Sequence, residues 1–60
     1  MKRANPAQLR QSGYDQAKHQ HEAGIPIEMI LLGFRTMPAS HYANGGLEYV
    51  TEQLAKEPSQ

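Results

Sequence analysis

The chain has 60 residues, no cysteine, and six lysine and arginine side chains against six aspartate and glutamate. A chain this short forms one domain, and it buries only roughly 60% of the surface that its unfolded form exposes. The composition therefore excludes disulfides and the commonest zinc sites as sources of stability. The net charge of zero also argues against attraction of the whole molecule to nucleic acid or anionic lipid.

The sequence predicts a soluble, cytoplasmic protein. The N-terminal residues Lys2 and Arg3 are followed by polar, glutamine-rich sequence and not by the apolar run of a secretory signal. The longest apolar stretch is interrupted by Glu28 and Arg35, and it is shorter than the ~20 residues that span a bilayer. The missing cysteines also fit a reducing compartment.

The first predicted element is a helix from Pro6 to Ala23, preceded by a basic arm at residues 1–4. Asn5 can cap this helix, and Gln8 can complete a capping box. Gly24, which tolerates a left-handed backbone, is expected to end the helix.

The apolar side of this first helix is shallow. Its members are two alanines and two amphipathic rings, with two further residues at the margin: Ala7, Tyr14, Ala17 and His21, with Leu9 and Gly13. Such a side lets another helix come close but contributes little buried area.

The second predicted element is the most apolar part of the chain, a helix from Pro26 to Met37 that Pro38 ends. At about 100° per residue, one face forms a core stripe: Ile27, Ile30, Leu31, Phe34 and Met37. The opposite face holds Met29, Leu32, Gly33 and Thr36, and the only charged residues, Glu28 and Arg35, lie between the two faces. A helix that is apolar almost all round is expected to be buried on more than one side.

Residues 39–46 are expected to form a loop. Ser40 could begin a short helical turn, and Asn44, Gly45 and Gly46 would close it. The Asn-Gly pair also allows a β-hairpin as an alternative, although the flanking residues alternate poorly. The third predicted helix runs from Leu47 to Glu57, before a tail at residues 58–60; its stripe is Leu47, Val50 and Leu54, with Tyr49 beside it.

The residues give little support for catalysis or metal binding. His19 and His21 point about 200° apart on one helix, and His41 lies in another segment. We expect His21 to pack against the core, and we expect no metal site and no cofactor. The hydroxyl residues lack a nucleophile motif and are better explained as capping or surface residues: Ser12, Thr36, Ser40 and Thr51. The sequence therefore predicts no catalytic residue, no small-molecule substrate and no enzyme.

Nucleic-acid binding is the alternative function. The cations Lys2, Arg3, Arg10 and Lys18 could contact phosphates from the N-terminal arm and the first helix. The second helix is a poor recognition helix, because Arg35 is its only cation. The same shortage of basic residues argues against binding to a membrane surface.

These patterns predict an all-α, three-helix domain spanning residues 1–60, with a central apolar helix, that works by binding protein. The partner is expected to be a larger protein that it regulates or inhibits, or a second copy of the chain in a homodimer. Methionine and a flanking small residue suit such a contact. The predicted contact residues are Met29, Leu32, Gly33 and Thr36, with Glu28 and Arg35 as a polar rim.

Overall fold

A computed structural model describes residues 5–56 of the chain. It contains three α-helices: α1 (Pro6–Glu22), α2 (Ile27–Thr36) and α3 (His41–Lys56). The prediction of an all-α, three-helix domain is confirmed. Residues 5–56 contain no strand, so the hairpin alternative is wrong. The predicted arm at residues 1–4, the tail at residues 58–60 and the predicted helix end at Glu57 lie outside the described residues.

Helix α1 begins at Pro6 as the sequence predicts and ends at Glu22, one residue before the predicted end at Ala23. The Asn5 side chain accepts a hydrogen bond from the Gln8 backbone N–H at 2.8 Å, and the Gln8 side chain accepts one from the Asn5 N–H at 3.4 Å. This reciprocal pair is the expected capping box. At the other end Gly24 has a φ of 104°, in the region that favours glycine.

Helix α2 is bounded by prolines at both ends. Pro26, with a φ of −60°, is its N-cap, and Met37 leaves the helix with a ψ of 152° because Pro38 follows it. Met37 was predicted on the core face, and this prediction is wrong. Since the chain turns extended at Met37, its side chain is partly exposed at the helix end.

Helix α3 begins six residues earlier than predicted, so the expected loop at residues 39–46 is wrong. The Ser40 hydroxyl accepts a hydrogen bond from the Ala43 N–H at 3.1 Å, and the Ser40 carbonyl accepts one from the Asn44 N–H at 2.9 Å. Ser40 therefore caps one long helix and not a separate turn. Gly45 and Gly46 lie within that helix and are buried.

Close packing of α1 on α3 explains why glycines stand inside helices. A Cβ on Gly13 would collide with the Tyr42 carbonyl group, and one on Gly45 would collide with the backbone of Arg10. The ring of Phe34 from α2 occupies the equivalent place beside Gly46. Glycine has a low helical propensity, which destabilises the helix at these positions. The close packing between helices, which a larger residue would block, offsets that cost.

A small core joins the three helices. Its members are Ala17, Ile27, Ile30, Phe34, Tyr49 and Val50, with Tyr14, Leu31, Tyr42 and Leu47 packed at its edge. Helix α2 supplies half of the six, while α3 packs most extensively on both other helices. Leu54 was predicted in the core, but it is 49% exposed. The reason is that Val50 is the last buried residue of α3, so Leu54, one turn later, has no core beside it.

Candidate protein-interaction surface

The side of α2 that faces away from the core is apolar and exposed. Met29 is 58% exposed and Leu32 is 53% exposed, and Gly33 and Thr36, which follow them in the helix, are also exposed. We call Met29, Leu32, Gly33 and Thr36 the α2 outer face. The structure brings these four predicted residues together on one surface.

The spacing of the buried residues fixes the orientation of this face. Ile27, Ile30 and Phe34 are buried, at intervals of three and four residues. At about 100° per residue they point to one side of the helix, so the residues of the α2 outer face point to the other. The same stripe that anchors α2 to the core therefore leaves the outer face without cover from residues 5–56.

Two apolar side chains that the sequence reasoning did not assign to the surface extend it along the chain. Ile25 is exposed just before α2, and Met37 just after it. Both stand next to the prolines that limit the helix, and that adjacency was the signal that could have placed them outside the core stripe. Exposed apolar side chains therefore stand at both ends of α2 as well as on its outer face.

The two charged residues of α2 lie along one flank of the outer face. Glu28 is in the first turn and Arg35 in the last, and both are exposed. Each charge is placed favourably relative to the helix dipole. Because they are seven residues apart, they occupy nearly the same angular position two turns apart.

Gly33 differs from the other helical glycines. A Cβ placed on Gly33 would have no atom of the other described segments within 4 Å, whereas Gly13, Gly45 and Gly46 each face a close neighbour. Nothing in the described fold requires a glycine there. The Thr36 hydroxyl donates to the Gly33 carbonyl at 3.0 Å, so its polar group is satisfied within the helix.

The predicted nucleic-acid contacts do not form one described patch. Arg10 on α1 forms an ion pair with Glu48 on α3. Lys18 is exposed on α1, and Lys2 and Arg3 lie outside the described residues. The Glu48 carboxylate lies beside Arg10, whereas nucleic-acid binding would need the positive charge of Arg10 to be free for phosphate.

The prediction that His21 packs against the core is confirmed. His21 is partly buried, and its Nδ1 shares a hydrogen bond of 2.8 Å with the Tyr49 hydroxyl. His19 and His41 are exposed. Within residues 5–56 there is no group of three or more side chains that could hold a metal ion.

Tyr49 and Tyr14 belong to the contact between α1 and α3. Their rings pack edge to face with centroids 5.3 Å apart, and the Tyr14 hydroxyl donates to Glu52 at 2.6 Å. That hydrogen bond raises the pKa of the Tyr14 phenol above 10. Burial raises the pKa of the Tyr49 phenol in the same direction. Both groups hold the helix pair together and lie away from the α2 outer face.

A second surface feature is a shallow open groove along the other side of α3. Polar side chains line most of it, among them His41, Asn44 and Thr51 beside the Arg10–Glu48 ion pair. Because the groove is shallow and open, it is a poor site for a small ligand. Among the described helices, none combines the length and apolar character that crossing a bilayer requires.

Comparison with known proteins gives no relative from which to argue. No protein family matches the chain, and no curated protein and no solved structure matches it either.

Proposed function

We propose that this protein is a non-enzymatic binding module that docks through the α2 outer face on a second apolar protein surface. One observation carries the proposal. Met29 and Leu32 are both more than half exposed on a helix whose other side forms the core. Contiguous exposed apolar side chains with a polar border are typical of protein contacts.

The composition of the face also supports binding. Methionine adapts its unbranched side chain to irregular surfaces, and the absence of a side chain at Gly33 lets another helix approach the backbone. Glu28 and Arg35 give the charged rim that borders an apolar contact centre. An exposed apolar face with a charged rim is sufficient for a regulator or inhibitor that acts by occupying the surface of another protein. The cytoplasmic location and the absence of catalysis stay predictions from the sequence.

The test is a matched pair of charge substitutions. Leu32→Asp places a carboxylate in the middle of the α2 outer face, where it should weaken binding without unfolding the chain, because Leu32 is exposed. Leu54→Asp is the control, since Leu54 is a similarly exposed leucine on α3. Circular dichroism establishes that both variants keep their helices.

Binding is then measured in two ways with the wild type and both variants. Sedimentation reports the mass of the pure protein, and capture on immobilised protein reports binding of other proteins from a native lysate. We expect Leu32→Asp to lower at least one of these signals strongly and Leu54→Asp to leave both unchanged. Equal behaviour of all three proteins in both measurements would contradict the proposal.

A further inference from the structure

We propose that the α2 outer face binds a second copy of this chain, with the two α2 helices antiparallel about a two-fold axis near Leu32. This inference rests on the proposed function and names its partner. It predicts two symmetric ion pairs, each between Glu28 of one copy and Arg35 of the other. The apolar contact lies between those pairs, with Met29 of each copy beside Leu32 of the other.

The charge pattern of α2 is the first argument. Glu28 and Arg35 have opposite charges, lie on the same flank and are one heptad apart. When two copies of such a helix run antiparallel, residues of the same flank face each other, so each Glu28 meets an Arg35. In a parallel pair Glu28 would lie level with Glu28 and Arg35 with Arg35. The strip is therefore complementary to itself in the antiparallel arrangement.

Self-complementarity points to a second copy and not to an unrelated protein. A two-fold interface uses the same patch on both subunits, so every contact occurs twice. The α2 outer face meets this requirement with one acidic and one basic residue and an apolar centre. An unrelated partner would have to supply the complementary charges independently.

Gly33 supplies an independent argument. A glycine within a helix costs up to ~1 kcal/mol relative to alanine, and each of the other helical glycines is required by a neighbour in the fold. Gly33 has open space where its Cβ would be. A second helix lying close to this position would account for a residue that the fold of one chain does not require.

The size of the contact sets the expected affinity. Helix α2 has 10 residues, which correspond to about 15 Å of helix. A contact of this length belongs to the smallest class of specific interfaces, so we expect a dissociation constant between about 10 μM and about 1 mM. The dimer must therefore be sought at high protein concentration.

Charge reversal is the decisive experiment. Glu28→Arg makes the strip wholly basic, and Arg35→Glu makes it wholly acidic. Either variant alone should dimerise more weakly by on the order of tenfold, because two attractive contacts become repulsive. An equimolar mixture of the two variants should recover association, and so should the doubly substituted chain. Lys18→Glu, which makes the same change of charge as Arg35→Glu but on α1, should leave the dimer unchanged.

Cysteine cross-linking tests the direction of the helices in a chain that has no native cysteine. Near a two-fold axis, Leu32→Cys places two thiols close enough for a disulfide, whereas Met29→Cys places them about 7 Å apart along the helix axis. We expect fast oxidation to a covalent dimer for Leu32→Cys and slow oxidation for Met29→Cys. Similar rates at both positions would indicate parallel helices and overturn the proposal.

Sedimentation of the pure wild type separates this inference from the proposed function. A chain that remains monomeric at about 1 mM, or a dimer that ignores the charge reversals, overturns the antiparallel homodimer. If Leu32→Asp still abolishes capture of another protein in that case, the proposed function stands with a different partner. If neither self-association nor capture depends on Leu32, both are wrong.

Discussion

At the scale of single residues, two tyrosine hydroxyls form side-chain hydrogen bonds where α1 meets α3. The Tyr49 hydroxyl is paired with His21, and the Tyr14 hydroxyl with Glu52. Tyr49 is only 5% exposed, and a buried hydroxyl without a partner would cost ~1–3 kcal/mol. The two hydrogen bonds therefore let tyrosine rings contribute apolar area to a core that has few large side chains.

The raised pKa values of these two phenols predict how stability depends on pH. The pKa of each is higher in the folded chain than its ordinary value of 10, so the unfolded chain releases its protons first as pH rises. The free energy of unfolding should accordingly be independent of these groups below pH 10 and fall as pH rises through the folded values. Urea unfolding across this range measures the effect. Replacing both tyrosines with phenylalanine should flatten the decline, and an unchanged slope would contradict the assignment.

At the scale of the helices, small residues decide how closely α1 and α3 pack. Gly13 and Gly45 each face the backbone of the opposite helix, so the two helices are in contact without intervening side chains. Gly46 leaves room for the Phe34 ring, which also packs near Tyr42 with ring centroids 5.8 Å apart. At these positions glycine has a low helical propensity, but it permits close contact between the helices.

The helical glycines predict opposite effects of one substitution. Gly13→Ala and Gly45→Ala must push backbone away from backbone, so each should destabilise the chain by about 1–3 kcal/mol or more. Gly33→Ala is the matched control. Its Cβ enters open space, so the gain in helix propensity should stabilise the chain by up to ~1 kcal/mol. Thermal unfolding at low concentration compares the three, and a stabilising Gly13→Ala would refute the close contact.

At the scale of the whole molecule, the core is small, and one helix face lacks cover from residues 5–56. The largest fully buried side chains are Ile30 and Val50, and a domain of about this size rarely gains more than ~3–5 kcal/mol from its core. Covering the α2 outer face would remove Met29 and Leu32 from water. Association would then increase the free energy of unfolding, which is small for a domain of this size.

This coupling predicts a melting temperature that depends on protein concentration. Because a dimer binds only folded chains, higher concentration should raise the melting temperature of the wild type. Leu32→Asp should melt at a temperature independent of concentration. Calorimetry over a hundredfold range of concentration is the measurement, and the same temperature throughout for the wild type would argue against coupled association.

The local signals in the sequence were sufficient for much of the fold. The Asn5 and Gln8 capping box, the left-handed Gly24 and the two prolines around α2 fixed helix ends, because each acts through its immediate neighbours. The period of Ile27, Ile30 and Phe34 likewise gave the buried side of α2 and hence the exposed positions of its outer face.

Tertiary contact decided the rest, above all at the start of α3. Asn44, Gly45 and Gly46 have the composition of a turn, and a local reading makes them a loop. They are helical because Gly45 packs against the backbone of Arg10 in α1 and Gly46 against the ring of Phe34 in α2, and both neighbours come from segments distant in the sequence. The exposure of Leu54 has the same origin. Leu54 continues the apolar stripe of α3, but Val50 is the last residue of that helix that is buried. The apolar pattern of one helix does not show how far the neighbouring helices extend.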